Sequence, residues 1–285
     1  MLPDESDIRP LIAHKFGADL SALADVHSLA VAAVYPRISI PPDPDLDPAV
    51  HLVALALYVK ACKQTRAIWH LCELGLGLDA SALVRHLFET TVALAFVLRK
   101  RVFLRRGGKR SPPVRGKPLN RRLRARLYLA NMAFEQERTL DDWLKTRGLK
   151  RHARTKLDPK SIRAHAADAV AAIGPEWTDR LKKSRSYSGL SLRDLVGSLR
   201  LKGAYATMYR STSWSVHGGA DLGQFVVDRD GRSELLLSPS DAWVQPSIGA
   251  ASLLLILCVS HLDDAFRLGL ESRIRPHRLR LGFRE

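Results

Sequence analysis

The residues best placed to do chemistry lie between Tyr205 and Gly219, in the run Tyr-Ala-Thr-Met-Tyr-Arg-Ser-Thr-Ser-Trp-Ser-Val-His-Gly-Gly. Read as a helix, Arg210, Trp214 and His217 fall at i, i+4 and i+7, one stripe of one face. Gly218 and Gly219 supply a C-terminal stop, because glycine tolerates the left-handed conformation that ends helices. His217 then lies in the last turn, where the helix dipole favours its protonated form. A polar, ionisable stripe near a helix end is a candidate site.

A second constellation is Arg85 and Glu89, four residues apart and so on one helix face. From Thr90 to Leu98 the same segment is apolar all round, which predicts a central helix. The Arg85–Glu89 stripe continues through Val92 and Phe96, so the ionic pair sits on a face that is buried further along. As an exposed i,i+4 pair it contributes about 0.3–0.5 kcal/mol. As a partly buried pair it costs more in desolvation and takes a third partner. Both readings stand at this stage. The isolated His51 and His70 read as surface or satisfied helix histidines.

The third feature is charge. Arg99 to Arg126 holds thirteen basic residues and no acidic one. Its Gly- and Pro-rich centre cannot be regular, so residues 105–120 are expected to form a flexible basic loop. Arg105, Arg106, Lys109, Arg110, Arg121 and Arg122 are the candidates for phosphate-backbone contacts. A solvated insertion is the alternative.

Several chemistries are missing. There is no Gly-rich phosphate loop after a strand, no His-Glu-x-x-His helix and no Gly-x-Ser-x-Gly elbow. Glu73, Glu89, His70 and His217 lack diagnostic ligand spacing, so neither a metal nor a cofactor is expected.

These residues need elements to position them. Asp19 reads as an N-cap for a helix to Val34, leaving residues 1–18 as an N-terminal arm. Five prolines between Tyr35 and Pro48 predict an extended linker. Helices are expected over Ala49 to about Leu74, Asp79 to about Arg99, Leu123 to Leu144 and Ser161 to Ile173. Gly174-Pro175 starts another, and Ser191 with Asp194 resembles a capping box. Residues 224–237 read as two short strands around Asp230-Gly231. Ser240-Asp241 caps an apolar helix to about Leu270, and residues 271–285 form a frayed basic tail. The expected fold is all-α, a single-domain multi-helix bundle with one short β-hairpin before the last long helix.

The 285 residues carry 45 Lys and Arg against 29 Asp and Glu, a formal charge of +16. The sequence pI is near 10.2. This balance points to nucleic acid or an anionic membrane surface, or to a merely solubilising surface. Three cysteines form neither a disulfide framework nor a zinc pattern and fit a reducing cytoplasm. The most apolar run, Ile248 to Val259, has twelve residues where a spanning helix needs roughly 20. The expectation is a cytoplasmic protein without a membrane partner.

Arg85-His-Leu-Phe-Glu89, taken with Tyr209-Arg-Ser-Thr-Ser-Trp-Ser-Val-His-Gly218, resembles an uncharacterised bacterial family of unknown function. That family pairs an early Arg-x-x-x-Glu helix with a late Ser-x-x-x-His segment, here Ser213-Trp-Ser-Val-His217. The late motif is also similar to the HEPN superfamily of helical nucleases, whose signature is an Arg, four to six residues, then His. Arg210 and His217 have six residues between them. This second resemblance implies a metal-independent endoribonuclease of a toxin–antitoxin or phage-defence system, often dimeric, with an antitoxin protein as a partner.

For that chemistry the ribose 2′-OH loses a proton, the 5′-oxygen gains one, and the phosphorane charge is stabilised. His217 suits the acid or base role, since an unperturbed histidine titrates near pH 6.5. Arg210 suits the phosphorane clamp. Tyr209 and Ser213 would orient substrate, and Glu89 would orient His217 or hold Arg85. The alternative is a non-catalytic module that binds nucleic acid or protein, in which Arg85, Glu89, Arg210 and His217 form a buried network fixing helix register.

Overall fold

The computed structural model describes residues 8–39, 47–104, 119–151, 157–209, 226–229, 232–235 and 240–282. The fold is all-α and multi-helix. It resolves into two compact units, one of Met1–Asp45, Ala54–Ala95 and Lys202–Glu285, the other of Leu46–Val53 and Phe96–Leu201.

In the first unit α1 spans Ile8–Ser28. A π-helical turn follows at Leu29–Val34, then α2 at Tyr35–Ser39. The expected arm is therefore helical from Ile8, and Asp19 is interior to α1 rather than its cap. The reason is tertiary. Ile12, Phe16, Leu20 and Leu23 form one buried stripe, and α1 packs along the last long helix, α10 (Val244–Phe266). That burial outweighs a local cap preference. The Pro-rich stretch also begins as helix, because Tyr35 N–H bonds the carbonyl of Ala30, five residues back. The ladder slips by one residue just before Pro36, which has no N–H to contribute.

Helix α3 (Pro48–Glu73) ends at Gly75, whose φ of 70° suits glycine. Gly75 N–H bonds Cys72 O at 3.0 Å and Leu76 N–H bonds Leu71 O at 2.8 Å, a paired left-handed termination. Helix α4 (Gly77–Leu98) starts at once. From Val92 to Leu98 every residue is buried, as the all-round apolar pattern predicts. Across the first unit, Thr90 donates to Gln64 of α3 at 3.0 Å.

The α3–α4 turn is pinned to the start of α10. Leu76 bridges Ser240, and Ser247 Oγ donates to Gly77 O at 3.1 Å. Ser240-Asp241 does not cap α10. The N-cap is Trp243, in the left-handed region at φ 62°, without a side-chain cap. Asp241 instead pairs with Lys15 of α1. The expected frayed tail is docked in part as α11 (Glu271–Arg280), with Ile274 buried. Arg278 there bonds Glu271 at 2.9 Å and Ser260 at 2.8 Å.

In the second unit α5 (Arg121–Lys145) packs on α6 (Pro159–Ile173) and α7 (Pro175–Ser184). Asp158 caps α6 and Pro159 opens it, so that helix starts two residues earlier than its apolar rhythm suggests. Ser191 caps α8 (Leu192–Ser198) by accepting from Asp194 N–H, as expected. Residues 119 and 120, the last two of the expected loop, make defined contacts. Leu119 pairs with Val102 at 3.2 Å, and Asn120 caps α5 through Leu123 N–H at 2.8 Å. Residues 105–118 lie outside the described residues.

A turn at Lys202–Ala204, α9, runs into a second π-helical turn at Tyr205–Tyr209. Backbone pairing also joins Val226–Arg229 to Arg232–Leu235, antiparallel, with Val226 opposite Leu235.

Among the described residues three segments are long and apolar enough to cross a membrane, Ile8–Ser39, Gly77–Leu98 and Val244–Phe266, whose most apolar 18-residue stretches have mean hydropathies of 1.3, 1.4 and 1.5. This corrects the argument from a twelve-residue run, which counted only the densest apolar stretch and ignored the uncharged residues that extend it.

Candidate functional site

The site is assembled from the Arg85–Glu89 part of α4 and the second π-helical turn, both in the first unit. On α4 the one-face spacing sets Arg85 beside Glu89, with Nε 3.6 Å from Oε1. Arg85 Nη2 donates to the Tyr209 hydroxyl at 2.8 Å. Its guanidinium carbon also lies 4.7 Å from the Tyr209 ring centroid, in the range of a cation–π contact. The Arg85 side chain is only 17% exposed, against 41% for Glu89. The partly buried reading of this pair therefore holds, and Tyr209 is its third partner.

Aromatic packing fixes the π-helical turn. Tyr205 and Tyr209 stack with centroids 5.0 Å apart at 16°, and Phe88 of α4 lies 5.6 Å from Tyr209. Phe88 itself is buried. His86, on the outer side, sits 4.0 Å from Glu89. Burial and then the Glu89 charge push the Tyr209 hydroxyl above its ordinary pKa, while Arg85 pulls the other way. At neutral pH the phenol keeps its proton, so it accepts from Arg85 and still has an O–H to donate.

A cleft of about 160 Å³ adjoins this cluster in sequence, lined by Val84, Thr207, Met208, Trp243, Pro246 and Ala250 among others. Gly77 lies against the backbone of Ala242, Trp243 and Val244. A Cβ there would fall 2.2 Å from Ala242 O and 2.5 Å from Val244 N, both backbone.

Of the residues singled out from sequence, Arg85, Glu89 and Tyr209 come together. Arg121 and Arg122 belong to the second unit. Arg121 Nε donates to Leu98 O at 2.6 Å, and Arg122 pairs with Asp47 at 2.7 Å. Arg105, Arg106, Lys109, Arg110, Arg210, Ser213 and His217 lie outside the described residues, as does the stop at Gly218 and Gly219. Sequence reasoning placed Phe88 and Tyr205 within the two motifs but gave neither a role. The signal was present in the four-residue spacing of Tyr205 and Tyr209. Among the described residues no group of three His, Cys, Asp or Glu could hold a metal ion.

Tyr209→Phe tests this geometry. It removes the acceptor for Arg85 and keeps both ring contacts. The expected loss is about 0.5–1.5 kcal/mol, below the usual value for a charged donor because the pair is partly hydrated. A urea midpoint unchanged from wild type would show that the contact contributes nothing.

The profile of a family of unknown function, DUF5677, matches residues 51–233. The match includes both constellations, from Arg85 to His217. No curated protein and no solved structure matches the chain, and the family match carries no link to helical nucleases.

Proposed function

The chain belongs to DUF5677, a family of unknown function, and on that premise we propose that it is a metal-independent endoribonuclease-like protein acting on RNA. The observation that carries the reading is the hydrogen bond from Arg85 to Tyr209, across 124 residues of sequence. Tyr209 immediately precedes Arg210 in the chain, so the early Arg-x-x-x-Glu helix anchors the start of the late motif. In this reading His217 moves the proton and Arg210 neutralises the phosphorane. Tyr209 and Ser213 orient the substrate, and Glu89 with Arg85 holds the late segment in place. A toxin or phage-defence setting, an antitoxin partner and a cytoplasmic site of action belong to the same proposal. Incubation of the purified protein with total RNA in EDTA tests it.

One observation favours a second reading. Arg85 is held by both Glu89 and Tyr209, which is also what a purely structural network requires. A non-catalytic nucleic-acid- or protein-binding module would bind its target in the same assay and leave RNA intact.

Arg105, Arg106, Lys109 and Arg110 supply non-specific backbone affinity in the proposal, together with Arg121 and Arg122. Replacing the first four by alanine should flatten the salt dependence of RNA binding by up to about 0.7 in log–log slope per lost contact. A slope that does not change would reduce the segment to a solubilising one.

A further inference from the structure

A separate cationic cluster lies in the second unit, where the C-terminal end of α4 meets the start of α5. Arg121 donates to Leu98 O, Arg124 Nη2 donates to Arg99 O, and Arg99 donates to Leu199 O. Carbonyls left over at a helix end explain one donor of Arg121 and one of Arg124. They do not explain the rest of Arg124. That residue is 0% exposed, and its Nε and Nη1 have no hydrogen-bond partner among the described residues.

Among the described residues Arg124 faces the Phe96 ring and the charge of Arg121. The Phe96 ring lies 5.9 Å from the guanidinium carbon. Tyr187 packs on Phe96 and on Tyr128, with centroids 5.6 Å and 5.2 Å away. Burial, and then the charge of Arg121, bring the Arg124 pKa down to about 10. A buried charge without a counter-ion is costly and is ordinarily paired. Arg99 to Arg126 offers no carboxylate. Asp47 is already engaged by Arg122.

We propose that Arg124, with the half-buried Arg121 beside it, forms an oxyanion site that takes a phosphoryl group. Guanidinium is the cation best matched to phosphate oxygens, and a multiply charged oxyanion gains from both side chains at once. The group comes either from free phosphate or from a nucleic-acid backbone. The site does not depend on RNA cleavage and survives failure of the nuclease reading.

Thermal unfolding of the full chain tests the site, in inorganic phosphate against chloride and acetate at matched ionic strength. Phosphate is expected to raise Tm saturably and more than either monovalent anion, as binding to the folded state alone requires. Arg124→Met should melt close to wild type in chloride, since an apolar replacement removes an unpaired buried charge, and should lose the phosphate increment. Arg121→Gln, at a half-buried position, should weaken phosphate binding roughly tenfold, and keeps the test open if the methionine variant fails to fold. A 2′-O-methyl oligoribonucleotide that competes with phosphate assigns the group to a nucleic-acid backbone; one that does not assigns it to the free ion, and either supports the site. A phosphate effect no larger than that of acetate, or one that survives in Arg124→Met, overturns it.

Discussion

His217→Ala is expected to lower RNA cleavage by about 10²- to 10⁴-fold, the usual contribution of a positioned acid or base. Arg210→Ala should cost a comparable factor by removing charge stabilisation at the phosphorane. The two losses need not arise in one chain. Seven helical residues would separate the Cα atoms by about 10 Å, and helical side chains lean towards the N-terminus, so Arg210 would lean away from His217. A two-fold dimer would solve the geometry by setting Arg210 of one chain beside His217 of its mate. Mixing Arg210→Ala with His217→Ala protein under subunit exchange should then restore part of the activity, because one site in each mixed dimer keeps both residues. No recovery would place the site within one chain, and full activity from a monomer would exclude the dimer.

Gly77→Ala is expected to be the most disruptive small change in the described fold. The added methyl carbon would meet backbone atoms of Ala242, Trp243 and Val244 at 2.2–2.6 Å. Backbone cannot rotate aside as a side chain does. Relief requires opening the Leu76–Ser240 bridge and the Ser247–Gly77 hydrogen bond. The expected cost is about 1–3 kcal/mol or more, read as a fall in Tm of several degrees. Gly249→Ala is the control. It lies inside α10 with nothing within 4 Å of the added carbon, so it should stabilise by roughly 0.5–1 kcal/mol through helix propensity. Equal effects at the two positions would show that the close approach at Gly77 does not exist.

The contrast between these glycines shows where sequence reading stops. The end of α3 near Leu74 was legible because the helical rhythm stops there, a local signal. So were the Ser191 cap and the Gly174-Pro175 break. The requirement at Gly77 comes from a segment more than 160 residues later and has no local mark. Asp19 misled for the converse reason. It has the chemistry of a cap but sits within a continuous buried stripe from Ile12 to Leu23 that only packing on α10 makes decisive.

The candidate site divides in the same way. The i,i+4 spacing of Arg85 and Glu89 announced the pair and its partly buried face. The partner was visible as a residue type, Tyr209, and was assigned to substrate rather than to Arg85. Nothing in a 3.6-residue period could join positions 124 residues apart. Arg124 was passed over because a basic run reads as solvated surface, and its burial, with the Phe96 ring over the guanidinium, follows only from tertiary packing.

The most direct measurement is digestion of total RNA by the purified protein in excess EDTA, alongside His217→Ala prepared identically. The account predicts cleavage by wild type that EDTA leaves unchanged and that the variant loses. Binding without cleavage, cleavage abolished by EDTA, or equal cleavage by the variant would contradict it.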